Sequence, residues 1–289
     1  MLPALIKTMR PRQWTKNVFI LAAIVFDRQL TNLDAVIRTA LCVILFSLLS
    51  SCVYIINDIM DVEADRQHPK KRNRPIASGK LPIPVAITAA VIFLIVVLGA
   101  AYFLSPVFAI IALIYLLSNI AYSIWLKHIP ILDVIIIASG FVLRVAAGVS
   151  VISVERFSPW MYVVMTMLAL FMGFGKRRGE ILLMTEGAGS TRRVLDGYTL
   201  PFLDQLISIV SSTTIVAYSL YTFSAPNLPD NHLMMLTIPF VMYAIFRWLY
   251  LMQVKNEGGA PEDLVLKDRP LQISLVLFGL SVLGIFYLS

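Results

Sequence analysis

Leu48-Leu49-Ser50-Ser51-Cys52-Val53-Tyr54-Ile55-Ile56-Asn57-Asp58-Ile59-Met60-Asp61-Val62-Glu63-Ala64-Asp65 closes an apolar run that begins near Val36. The apolar part is long enough to cross a bilayer as a helix, which takes about 20 residues. The acidic part follows without a turn signal. Asn57, Asp61 and Asp65 are spaced four apart, so on a helix they stack along one face with Asp58 beside Asp61. Like charges at that spacing repel by a few tenths of a kcal/mol per pair. A cation is therefore expected among them. Hard oxygen donors with open positions suit Mg²⁺, which is commonly held by one or two carboxylates together with substrate phosphates.

The rest of the chain agrees with a membrane setting. Its 289 residues are 58% hydrophobic and 14% charged, where a soluble domain has about 25% charged residues. Mean hydropathy is +0.82 and the pI is near 9.5. Nine apolar segments read as spans, at about 14–30, 36–57, 83–104, 106–126, 131–152, 159–175, 203–223, 233–253 and 271–288. Pro82, Pro84, Pro106, Pro130 and Pro159 punctuate their ends. The first span follows Lys7, Arg10, Arg12 and Lys16 and lacks a small-residue cleavage site, so it is expected to be retained. Cys42 and Cys52 are ten residues apart in one span, too far along a helix to bridge.

With the N-terminus in the cytoplasm, nineteen Lys and Arg fall on the inner side and three (Arg28, Arg38, Arg156) outside. That asymmetry fixes the orientation and accounts for the net charge of +7 without nucleic acid as a partner. Arg144 and Arg247 lie within spans. The two longest inner loops, at about 58–82 and 176–202, hold most of the polar residues. The expectation is an all-α, multi-pass inner (plasma) membrane protein, a single domain over residues 1–289 with both loops cytoplasmic.

The acidic stretch is followed by His68-Pro69-Lys70-Lys71-Arg72-Asn73-Arg74-Pro75. Carboxylates that hold Mg²⁺ beside guanidinium groups suit a diphosphate. Topology alone would explain the basic run but not the stacked acids.

Asn57-Asp58-x-x-Asp61-x-x-x-Asp65 with Arg74-Pro75-Ile76-Ala77-x-Gly79 resembles the UbiA superfamily of intramembrane prenyltransferases. The resemblance implies nine helices around a central cavity and Mg²⁺ on Asn57, Asp58, Asp61 and Asp65. It also implies catalytic roles for the three aspartates. Most members carry a second Asp-rich motif after helix 6. This chain has Gly175-Lys176-Arg177-Arg178-Gly179-Glu180 there, and only later Asp196-Gly197-Tyr198.

That departure, together with Arg10-Pro11-Arg12-Gln13-Trp14-Thr15-Lys16-Asn17, Tyr122-Ser123-x-x-Leu126-Lys127 and Leu143-Arg144-x-x-Ala147-Gly148, resembles the decaprenyl-phosphate phosphoribosyltransferase branch. The branch transfers phosphoribose from 5-phosphoribosyl diphosphate (PRPP) to a polyprenyl phosphate. The resemblance implies substrate contacts from Lys16, Asn17, Arg72, Arg74, Tyr122 and Lys127. It implies the same for Arg144, Lys176, Arg177, Glu180, Asp196 and Tyr198. Lys176 and Arg177 suit the 5-phosphate, as point charge and bidentate fork respectively.

Competing explanations are local. Lys176 and Glu180 form an i,i+4 pair on a helix. Arg144 suits a structural ion pair with Asp133 or Asp61 as well as it suits a phosphate. Arg247 is close enough to a span end to snorkel. Trp14 and Trp125 read as interface anchors. Two other functions compete: an aromatic prenyltransferase of the same fold using a prenyl diphosphate, and a transporter or lipid-binding protein. An oligomer is compatible with all three readings.

Overall fold

A computed structural model of the chain describes residues 1–69, 71–154, 158–185, 193–226, 228–229, 231–257 and 261–287. Lys70, Arg156 and Arg192 lie outside the described residues, as do residues 186–192 of the second expected loop. The described residues form helices: α1 (Leu2–Met9), a 3₁₀ segment (Pro11–Leu21), α2 (Ala22–Phe26), α3 (Leu33–Met60), α4 (Val62–Gln67), α5 (Ile83–Leu104) and α6 (Pro106–Ile124). Then follow α7 (Leu132–Val151), α8 (Pro159–Thr185), α9 (Leu200–Ser224), α10 (Ile238–Gln253), α11 (Pro261–Lys267) and α12 (Arg269–Tyr287).

Among the described residues, eight helical segments are long and apolar enough to cross a membrane, from Leu33–Met60 to Arg269–Tyr287. The protein is a multi-pass membrane protein. The segment expected as a span at 14–30 differs. It is 3₁₀ helix from Pro11 to Leu21 and α-helix only over Ala22–Phe26, and Arg28 has a left-handed backbone (φ 58°). Within it Asn17 is fully buried and hydrogen-bonded, so side-chain bonds as well as apolar burial hold this stretch. At about 2.0 Å per 3₁₀ residue and 1.5 Å per α residue, these sixteen residues reach about 30 Å.

Local chemistry sets several ends. The Asn32 side chain caps α3, accepting from the amides of Asp34 and Ala35. The reversal between α5 and α6 falls at Ser105, which is extended before Pro106 and whose hydroxyl caps the Phe108 amide at 3.3 Å. The segment expected at 233–253 begins as a 3₁₀ turn, and α10 starts only at Ile238. α8 was expected to stop at 175 but continues to Thr185. Its basic run stays helical because Arg177 and Arg178 are neutralised by carboxylates, as described below. The second polar region is therefore partly helix, not loop.

The chain divides into two compact units. One comprises Met1–Ile124 and Leu143–Val154, the other Trp125–Val142 and Glu155–Ser289. The first has a core around Phe46, Leu49, Phe108 and Ala112, with the Phe46 and Tyr115 rings 4.7 Å apart. The second packs Val134, Phe174, Leu251 and Leu271 around Phe171 and Trp248, whose rings meet edge-on at 5.6 Å.

In the first unit the N-terminal segment runs against one face of α3. Trp14 Nε1 donates to Ser51 Oγ (3.0 Å), and Asn17 Nδ2 donates to Ser47 Oγ (2.8 Å). Trp14 is thus half-buried and packed against the bundle. Gly148 of α7 lies under the Ile20 carbonyl, so closely that any Cβ there would collide with it.

Candidate active site

α3 ends at Met60 and α4 starts at Val62, with Asp61 as the single turn residue between them. The i→i+4 bonds persist across it, from Asp61 N to Asn57 O (3.0 Å) and from Asp65 N to Asp61 O (2.8 Å). The expected stacking of Asn57, Asp61 and Asp65 is therefore kept. Asp58 and Asp65 are 3% and 2% exposed, and Asp61 is half-buried.

Burying two carboxylates costs several kcal/mol each unless cations meet them. Arg74 Nη1 lies 2.6 Å from Asp65 Oδ2 and 3.2 Å from Asp58 Oδ1. Arg10 Nη2 lies 2.5 Å from the same Asp58 oxygen, with its guanidinium over the Tyr54 ring. Arg10 is placed there by its own left-handed backbone (φ 53°), which ends α1. Asn57 Oδ1 accepts from Ser123 Oγ at 2.6 Å.

Among the described residues no three His, Cys, Asp or Glu side chains form a ready metal cage. The donor set still fits Mg²⁺. Two oxygen-only ligands, already converging on a shared cation, are what this ion takes from protein when phosphates supply the rest.

In the second unit, Arg177 is 1% exposed. Its Nε binds Asp133 Oδ2 at 2.7 Å and its Nη1 binds Glu180 Oε2 at 2.8 Å. The Tyr198 hydroxyl donates to Asp133 Oδ1 (2.6 Å) and accepts from the Ile131 amide (2.5 Å). Burial, and then the hydrogen bond to Asp133, push the Tyr198 phenol well above its ordinary pKa. Arg178 binds Asp204 (2.7 Å) and the Met252 carbonyl (2.7 Å). Lys176 is half-buried on α8 and Lys127 half-buried on the 3₁₀ turn Leu126–His128; Tyr122, which belongs to the first unit, is half-buried near the end of α6. Asp196 is exposed on the turn Arg193–Gly197.

The remaining candidates belong to the first unit. Lys16 is half-buried on the 3₁₀ segment, and Arg72 is exposed beside α4. Arg144 is 4% exposed. Its Nε donates to Asn17 Oδ1 (2.8 Å) and its Nη2 to Tyr115 (3.1 Å), and it lies 5.1 Å from the centres of the Phe46 and Tyr115 rings. Asp133, one of the two acids considered for it, pairs instead with Arg177.

Arg247 is held by Asp268 at 2.8 Å rather than merely snorkelling. Sequence reasoning missed Arg10 as a site residue, although the motif quoted for the resemblance starts on it. It also missed Asp133 as the hub of the second cluster.

Residues 17–176 match the UbiA prenyltransferase family. The chain is 34% identical to the decaprenyl-phosphate phosphoribosyltransferase of Mycobacterium tuberculosis, over 96% of this chain and 92% of that protein. It is 36% identical to the enzyme of the same name from Mycolicibacterium smegmatis, over 97% and 91%. In fold it is similar to a UbiA homolog from Archaeoglobus fulgidus bound to DMAPP and Mg²⁺, with TM-score 0.73, 17% identity and 99% of both chains covered.

Proposed function

Because the chain belongs to the UbiA prenyltransferase family, we propose that it transfers 5-phosphoribose from PRPP to a decaprenyl-type polyprenyl phosphate. Diphosphate is released, in a Mg²⁺-dependent reaction at the cytoplasmic side of the inner membrane. The whole chain then serves as one catalytic domain, with Pro11–Phe26 as the ninth crossing and the N-terminus inside. The observation that carries this reading is the residue type that α8 presents at the second polar region. Where a family member with two acidic motifs would hold carboxylates, α8 bears Lys176, Arg177 and Arg178. The M. tuberculosis and M. smegmatis relatives, matched over more than 90% of their length, carry the name of that activity.

In this mechanism the bond from the ribose anomeric carbon to the diphosphate oxygen breaks. A bond to an oxygen of the lipid phosphate forms on the opposite side. Asp58, Asp61 and Asp65 would hold Mg²⁺, which would supply charge neutralisation for the leaving diphosphate. Arg74 and Arg10 would offer their guanidinium donors to phosphate oxygens, Arg74 as a fork. In the second unit Lys127 and Lys176 bind phosphate, while Arg177 is engaged by Asp133 and Glu180 and acts by holding that cluster together. The attacking phosphate is already ionised, so no general base is required. Rate enhancement rests on placement and electrostatics.

The test is turnover of radiolabelled PRPP by the purified protein with Mg²⁺ and a polyprenyl phosphate, beside Asp61→Asn. Label in the organic phase, lost in the variant and in EDTA, is the expected result. No lipid-linked label, but alkylation of an aromatic acceptor by a prenyl diphosphate, would replace this reading with the ordinary aromatic prenyltransferase. Lipid binding unaffected by EDTA, with no turnover of either donor, would leave the transport or lipid-binding reading.

A further inference from the structure

Ile131 has φ +72°, a left-handed backbone at a β-branched residue. That conformation is disfavoured for any residue with a Cβ and most of all for a branched one. It persists only where surrounding structure holds it. The hold is visible. The Ile131 amide donates to the Tyr198 hydroxyl, which in turn donates to Asp133. Asp133 is itself fixed by Arg177.

Gly197 completes the arrangement. A Cβ at Gly197 would collide with the Pro130 ring, so only glycine lets the Arg193–Gly197 turn come this close. Asp196-Gly197-Tyr198 thus works as a glycine that permits approach followed by a tyrosine that clamps. The clamped turn starts at Trp125 and carries Lys127. It continues directly into α7 through the bonds from Asp133 N to Ile129 O (3.0 Å) and from Ile135 N to Ile131 O (2.9 Å).

We propose that Tyr198 is a positioning residue: its hydroxyl holds Ile131 in the left-handed form and so sets where Lys127 stands for phosphate binding. The last clause rests on the proposed function; the clamp does not. Ile131 is 39% exposed, so its side chain contributes little packing. Ile131→Gly should therefore relieve the strain without opening a cavity.

In Tyr198→Phe the ring remains but the amide loses its acceptor and Asp133 a donor. The KM for PRPP is expected to rise roughly tenfold, with kcat changing by less than about threefold. Ile131→Gly in the Tyr198→Phe background is expected to bring KM back to within about twofold of wild type, because glycine adopts the backbone unaided. An unchanged KM in Tyr198→Phe overturns the proposal, as does a double variant no better than Tyr198→Phe. If Tyr198→Phe does not fold, recovery of folding in the double variant supports the clamp and continued failure overturns it. If the wild-type protein does not turn over PRPP, the proposed function fails separately. The clamp is then read from thermal unfolding of the same four proteins, non-additive effects supporting it and additive ones overturning it.

Discussion

Arg74 stands between two carboxylates that are almost wholly shielded from solvent. Removing one member of a buried ion pair costs about 3–5 kcal/mol, because the partner is left uncompensated. Arg74 is itself partly exposed, so Arg74→Met is expected to cost about 3 kcal/mol, near the lower end. Thermal unfolding in detergent measures this, and Asp65→Asn in the same background should recover part of the loss.

Tyr198 gives a second prediction at this scale. Its folded pKa is raised above the ordinary value by burial. The folded state thus favours the neutral phenol, and its contribution to stability is complete below the unfolded value of about 10. It is lost as pH climbs from there through the folded value. Urea or thermal denaturation as a function of pH should show an alkaline limb above pH about 10 that is weaker in Tyr198→Phe.

At the scale of elements, the N-terminal segment and α7 depend on each other. Asn17 is bonded to both Ser47 and Arg144, and Gly148 lies one helical turn beyond Arg144 under the Ile20 carbonyl. Gly148→Val forces these backbones apart and is expected to destabilise by about 1–3 kcal/mol, the usual range for overpacking. Loss of protease resistance at the N-terminus before global unfolding would report it.

The spans were legible because apolar runs of this length have few other solutions, and the acidic face was legible because its spacing is local. The pairing of Arg10 with Asp58 was not. Its partners are 48 positions apart and leave no periodic trace in the sequence. The length of α8 was misjudged for a related reason. A basic run normally marks the end of a span, but here Asp133, Glu180 and Asp204 neutralise it from the sides. The first apolar segment was expected as an ordinary span, and nothing in its composition announced a 3₁₀ helix of eleven residues.

At the scale of the whole molecule, the distribution of Lys and Arg predicts which side each loop faces. Both native cysteines are buried, so single introduced cysteines can be read against a quiet background. With the N-terminus inside, Thr31→Cys in intact cells is expected to react with a membrane-impermeant maleimide. Ser78→Cys is expected to react only after permeabilisation. The reverse pattern would invert the proposed orientation.

The guanidinium groups on Asp58 and Asp65 also bear on how the protein is made. A newly inserted chain does not have to find magnesium before it can bury these acids, because Arg10 and Arg74 arrive with them in the same polypeptide. On the proposed Mg²⁺ dependence, biogenesis and loading are then separable. Cells starved of divalent ions should accumulate intact, membrane-inserted enzyme that lacks activity rather than degraded chain. Adding EDTA to the purified protein should abolish turnover while leaving its melting temperature within a few degrees, and restoring Mg²⁺ should return activity without refolding.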